Sequence, residues 1–289
     1  MTAARVGKVG VVGLGTMGAG IAQVCVQAGI ETVGREVSEE LCERARERIA
    51  HYLGRGVEKG RLTAEERDAA LARLTTTTEL DDLAGCDLVI EAVVEELDAK
   101  RSLVRELEAV VAEDAVLATN TSALSVTAVA QATERPERVV GMHFFNPAPV
   151  LPLVEVVRTE LASDDAVETA YALAERVGKE PIRCNDTPGF VVNRILIPLL
   201  NDCARVLDEA GVSPEDLDKA MTRGVNWPIG PCALIDLIGV DVHVHASEAL
   251  HAALGEARMA PPERLVRMRD EGLLGRKSGE GFFRYDEPT

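Results

Sequence analysis

Val9-Gly-Val-Val-Gly-Leu-Gly-Thr-Met-Gly-Ala-Gly-Ile-Ala22 begins as a short β-prone run, breaks into glycines after Val12, and resumes as a helical pattern from Met17. Gly13, Gly15 and Gly18 stand in the order G-x-G-x-x-G. The physical reading is a strand, a tight turn and a helix N-terminus. Gly13 permits the turn, Gly15 lets a pyrophosphate approach bare backbone, and Gly18 lets the helix pack close to the strand. Free amides at the helix start, around Thr16 and Met17, and the positive end of the helix dipole then face the phosphates. The motif alone also fits a glycine-rich turn that binds nothing, so its surroundings decide.

A second β-prone run, Glu31 to Arg35, ends at Glu36, twenty-three positions after Gly13. A dinucleotide-binding fold places an acid there to hold the adenine ribose hydroxyls. Read alone, Glu36 is equally a surface acid. Arg35 beside it is a group that can accept a 2′-phosphate, so the expectation is NAD, with NADP not excluded.

The chain has 289 residues, enough for one large domain or two ordinary ones, and 46% are hydrophobic, as in a globular protein. A formal net charge of −17 argues against nucleic acid or an anionic membrane as a partner. A phosphate-bearing ligand therefore needs local positive groups. The six cysteines are scattered, with no C-x-x-C pair, which fits a reduced, cytoplasmic protein. No signal peptide and no bilayer-length apolar run is recognisable.

Beyond Glu36, Ser38 is placed to cap a heavily charged helix over 39–50 and onward, most of it a solvated face. Arg55 and Lys59, four apart, share one helix face. Thr63 with Glu65 and Glu66 starts another helix, to about Leu74. Leu88 to Val94 reads as a buried strand with Glu95 at its end. A helix over 99–111, a strand over 115–119, a short helix over 126–131, and strands over 138–145, 154–157 and 180–184, with a helix over 165–177, complete an alternating pattern. That rhythm predicts a Rossmann-type, doubly wound α/β sheet with ligands at the carboxyl ends of its strands. After Asp186-Thr-Pro-Gly189 the texture changes. Phe190 to Leu207 is apolar nearly all round and therefore predicted buried; 214–221, 233–238, 247–254 and 262–269 read as helices. The expected organisation is a dinucleotide-binding domain over 1–186 and an all-α substrate and dimerisation domain over 187–289. A homodimer through the helical part is expected, to cover the first of its helices.

His143 lies near the end of a hydrophobic strand before a polar turn, where it could serve as a general base or as a core histidine satisfied by backbone. Glu155, twelve positions later in the next strand pattern, is flanked by Leu153, Val154, Val156 and Val157. A carboxylate among apolar neighbours is costly unless paired, and pairing it with His143 would fix the tautomer and stabilise an imidazolium. Asn193 is an amide in an apolar helix, and Ser122 follows a strand; each also has a structural reading, as a core hydrogen bond and a helix cap. Together the four describe an alcohol-to-ketone dehydrogenase. His243, His245 and His251 lack a recognisable ligand spacing and read as a solvated surface, so no metal is expected.

The chain closely resembles the short-chain 3-hydroxyacyl-CoA dehydrogenases, particularly the bacterial 3-hydroxybutyryl-CoA enzymes, over essentially its whole length. The stretches that carry the resemblance are Gly13-Leu-Gly-Thr-Met-Gly18, Leu88-Val-Ile-Glu-Ala92, Asn120-Thr-Ser122, Gly141-Met-His-Phe-Phe-Asn-Pro-Ala-Pro149, Leu153-Val-Glu-Val-Val157, Pro188-Gly-Phe-Val-Val-Asn-Arg-Ile195 and Gly275-Arg-Lys-Ser-Gly-Glu-Gly-Phe282. The resemblance implies that His143 is the catalytic base, Glu155 its partner, and Ser122 and Asn193 the groups that orient the substrate oxygen. It implies cofactor contacts at Glu95, Lys100, Asn146 and Lys277, and places Arg55 and Lys59 against the phosphates of an acyl-CoA thioester. The chain departs from the family pattern at Gly34-Arg-Glu36, where an Asp is usual, at Ala123 and Arg55, and at Trp227, where a His is common. The same scaffold would serve a hydroxyacyl group tethered to a carrier protein, or a catalytically silent dinucleotide-binding protein.

Overall fold

The structure, a computed structural model, describes residues 6–286. β1 (Lys8–Val12) enters the glycine turn and α1 (Thr16–Gln27) leaves it. Gly13 has a φ of 84°, and a Cβ on Gly18 would lie 1.8 Å from the Gly13 carbonyl oxygen. Only glycine allows α1 to start so close to the strand. β2 (Glu31–Arg35) pairs in parallel with β1. The unusual Gly34 has a local cause: a Cβ there would meet Leu14 Cδ1 at 2.7 Å, so its absence makes room for the side chain of the glycine loop itself.

α2 (Glu39–Glu58) starts at Ser38, whose hydroxyl accepts from the Leu41 amide at 3.3 Å. α3 (Ala64–Ala72) opens with a reciprocal capping box between Thr63 and Glu66. Leu74 to Thr77, which the sequence assigns to no strand, forms β3 in parallel with β2. Four residues are too few to show a period, and the β-branched threonines find their ladder only against a formed β2. β4 (Leu88–Glu91) ends before the apolar run does, so Glu95 lies beyond the strand and not at its end. The register explains this: Glu91 is level with Val12 of β1 and Thr119 of β5 (Val116–Thr119), where both neighbours stop. Val93 remains apolar because it packs against the glycine turn.

α4 (Leu97–Val110), α5 (Val126–Ala130), β6 (Val139–Phe144), β7 (Leu153–Arg158), α6 (Asp164–Arg176) and β8 (Glu180–Asn185) complete this unit. The sheet order is β3-β2-β1-β4-β5-β6-β7-β8, parallel except for the antiparallel pair β6–β7. Strand residues alternate between two cores. Val9, Val11, Leu88, Ile90, Val140 and Met142 meet α1 and α6; Val12, Val89, Leu117 and Val139 meet α4 and α5. This is the doubly wound α/β architecture that the alternating pattern predicts.

The chain divides into two compact units between Thr187 and Pro188. The second unit is helical: α7 (Val192–Ala210), α8 (Pro214–Gly224), α9 (Pro231–Ile238), α10 (Val240–Leu254) and α11 (Glu263–Asp270). Leu200, Ala204, Ile235, Val240, Val244 and Leu265 form its core. α7 is two-faced and not buried all round: Leu200 and Ala204 point inward, while Ile195, Leu199 and Val206 are 62%, 37% and 39% exposed. His243 also departs from the solvated surface expected of it. It is fully buried, with Nε2 2.9 Å from Asn201 Oδ1, and the Ser247 hydroxyl donates to the same oxygen at 3.2 Å. No helix among the described residues is long and apolar enough to cross a membrane.

Candidate active site

β6 and β7 are neighbours with opposite direction, and their register sets His143 directly across from Glu155. Both residues are buried, and His143 Nδ1 lies 2.6 Å from Glu155 Oε2. A carboxylate inside an apolar strand requires a partner, and the adjacent strand supplies it. The Phe145 ring packs on the imidazole at 4.4 Å between centroids. Both side chains share the parity of Val139, which faces the α4 and α5 side of the sheet.

At the carboxyl ends of β4 and β5 a second polar cluster forms. Glu95 Oε1 accepts from the Thr121 hydroxyl at 2.6 Å, the Ser122 amide at 2.8 Å and the Ser122 hydroxyl at 3.2 Å. Burial pushes the Glu95 carboxyl up, but these bonds and the Lys100 ammonium outweigh it and hold its pKa below the ordinary range. Lys100, a cofactor contact by the resemblance, has no exposed surface to offer a ligand: it is fully buried, its ammonium 2.9 and 3.0 Å from the two carboxylate oxygens of Glu91. Burial raises the pKa of Glu91 against the pull of that ammonium and of the Thr119 hydroxyl.

The glycine turn fits the phosphates of a dinucleotide. Nothing lies within 4 Å of where a Cβ on Gly15 would be, so the backbone there is open to a ligand, with Thr16 and Met17 opening α1 beside it. Glu36 folds back to this loop: Oε1 accepts from the Leu14 amide at 2.6 Å and Oε2 from the Val37 amide at 3.0 Å. Arg35 turns away, its Nε donating to the Thr78 carbonyl at 3.1 Å.

A cavity of about 700 Å³ opens beside α1 and α2 and reaches the Asn146–Val150 turn. It joins Thr16 and Asn146 to Arg55 and Lys59. Arg48, Tyr52 and Arg61 also line it, and among the described residues no Asp or Glu does. The sequence reading leaves Arg48 on the solvated face of α2. The overlooked signal is spacing: 48, 52, 55 and 59 fall on one helical stripe. The sequence pattern gives no role to Glu91 or Thr121, although Glu91 interrupts an otherwise apolar run. Lys179, its pKa lowered by burial, donates to the carbonyls of Ala148 and, at 3.0 Å, Leu151, and so fastens the turn that walls the cavity.

Two of the expected residues belong to the helical unit. Asn193 is half-buried in the first turn of α7. Lys277 is ion-paired to both carboxylate oxygens of Asp241, at 2.6 and 2.7 Å.

Comparison with known proteins identifies the family of the chain. Residues 8–187 match the family description "3-hydroxyacyl-CoA dehydrogenase, NAD binding domain", and residues 189–285 match "3-hydroxyacyl-CoA dehydrogenase, C-terminal domain". The chain is 46% identical over 280 residues to a 3-hydroxybutyryl-CoA dehydrogenase of Mycobacterium tuberculosis, covering 96% of this chain and 98% of that protein. It is 44% identical over 278 residues to a probable 3-hydroxybutyryl-CoA dehydrogenase of Deinococcus radiodurans, covering 96% and 100%. The crystal structure of (S)-3-hydroxybutyryl-CoA dehydrogenase from Ralstonia eutropha superposes with a TM-score of 0.95 at 40% identity, covering 98% of this chain and all of that one. With both units matched in order, this chain belongs to the 3-hydroxyacyl-CoA dehydrogenase family and is an oxidoreductase with a nicotinamide-dinucleotide-binding Rossmann domain.

Proposed function

We propose that the protein interconverts 3-hydroxybutyryl-CoA and acetoacetyl-CoA with NAD. The observation that carries this reading is the buried His143–Glu155 pair, held by strand register in a chain of this family. With Nδ1 bonded to Glu155, Nε2 is the nitrogen that takes the 3-hydroxyl proton in oxidation and returns it in reduction. When bound, the dinucleotide supplies the hydride acceptor or donor at its nicotinamide ring. Glu155 fixes the imidazole orientation and stabilises the imidazolium. Ser122 holds the reacting oxygen, and Asn193, as the resemblance implies, orients the substrate.

Gly13, Gly15, Thr16, Met17 and Gly18 serve the pyrophosphate and Glu36 the adenine ribose; Glu95, Asn146 and Lys277 remain assigned to the cofactor. The Glu36 carboxylate would repel a 2′-phosphate, and Arg35 is committed to Thr78, which supports NAD over NADP. Arg55 and Lys59, with Arg48 and Arg61 beside them, give the phosphates of a CoA thioester a positive lining with no acid in it. The test is the rate of acetoacetyl-CoA reduction with NADH and with NADPH, followed by reduced-cofactor absorbance. Turnover with a clear preference for NADH is expected. A preference for NADPH would shift cofactor choice to Arg35, and no turnover with either would overturn the free-CoA reading.

A further inference from the structure

Glu91 is a fully buried carboxylate that the proposed reaction does not use. We propose that it is a positioning residue that sets the orientation of Ser122 through Lys100 and Glu95. The inference rests on the functional reading above, which assigns the reacting oxygen to Ser122.

Glu91 closes β4 level with Thr119 of β5, so the two strand ends present their side chains together. Its carboxylate takes Lys100 Nζ on both oxygens, the Thr119 hydroxyl on Oε1, and the Val93 amide on Oε2 at 3.3 Å. The ammonium also reaches the Asn120 carbonyl at 3.3 Å and Glu95 Oε2 at 3.5 Å. A lysine with no exposed surface and all its donors engaged acts through these groups and not by touching a ligand.

Glu95 is divided between two tasks. Oε2 faces Lys100, while Oε1 accepts from the Thr121 hydroxyl and from both the amide and hydroxyl of Ser122. One ammonium thus serves two carboxylates, and the shorter bonds go to Glu91. Without the charge on Glu91, Lys100 has a single carboxylate left, and its attraction draws Glu95 inward, away from Ser122. Glu91 therefore holds the cation back, so that Oε1 stays on Ser122 and the hydroxyl keeps one orientation.

The test compares Glu91→Gln in the wild-type background and in a Ser122→Ala background, by steady-state reduction of acetoacetyl-CoA. A positioning role lowers kcat about tenfold, leaves both KM values within about twofold, and costs less than about twofold once Ser122 is gone, because residues that act as a unit are not additive. Equal loss in the two backgrounds, or a loss confined to KM, overturns the inference. Should Glu91→Gln not fold, Glu91→Asp, which keeps a buried charge but draws it back from Lys100 by one methylene, carries the same comparison with a smaller expected loss. Absence of wild-type turnover overturns the functional reading and this inference with it, whereas additive losses in an active enzyme overturn this inference alone.

Discussion

The 2.6 Å contact between His143 and Glu155 is the most informative pair of atoms in the molecule. Its partners could be read from the sequence because a carboxylate among Leu153, Val154, Val156 and Val157 demands a buried partner, and His143 was near at hand on the preceding strand pattern. The prediction at this scale is direct. His143→Ala should lower kcat by about 10²–10⁴-fold, the range general acid–base groups supply, while NADH binding followed by fluorescence stays near wild type. Retention of more than a tenth of the turnover would remove His143 from the mechanism. Glu91 could not be read in the same way. It stands in the middle of the apolar run Leu88 to Val94 with no cation near it in sequence, and its partner Lys100 reaches it only after β4 has turned into α4. Arg48 was hidden for a different reason: α2 carries charge of both signs, and only the folded cavity shows which of its cations face a ligand-sized space.

Helices and strands were legible where period and caps agreed, as at Ser38 for α2 and Thr63 for α3. They were obscured where local pattern and tertiary packing disagree. Val240-Asp-Val-His-Val-His245 alternates like a strand, yet it is the first half of α10, because Val240 and Val244 enter the helical core while His243 and Ser247 meet Asn201. That arrangement makes a stability prediction. Burial pushes the His243 pKa down from 6.5 to about 4, so the folded protein keeps the ring neutral while the unfolded chain takes up a proton below about pH 6.5. Its contribution is fully present above that pH and is lost as pH falls toward 4, by about 3 kcal/mol in all. Thermal unfolding between pH 7 and pH 4.5 should fall more steeply for the wild type than for His243→Gln. Parallel slopes would show that the ring does not govern the acid limb.

For the molecule as a whole, the change of texture at Asp186–Gly189 was visible because α/β alternation stops there, but the exposure of α7 was not, since composition does not say which apolar residues face outward. Ile195, Leu199 and Val206 form one outward stripe on α7, a surface costly to leave in water. We expect a second copy of the chain to cover it. Sedimentation should then give twice the chain mass of 31.0 kDa, and Ile195→Asp with Leu199→Asp should give the monomer. A wild type that sediments as a monomer would overturn this expectation. The reversed direction of β7 has an evolutionary consequence. The ladder between Val139–Phe144 and Leu153–Arg158 fixes the phase of His143 against Glu155, and a one-residue slip within either strand would send one of them to the other face of the sheet. The connection between the strands is under no such parity rule, yet its residues Asn146 to Val150 wall the cavity. Insertions and deletions beyond Asn146 can remodel that cavity while the His143–Glu155 pair is inherited intact, so the wall of a ligand-sized space and the buried pair are free to diverge at separate addresses in one hairpin.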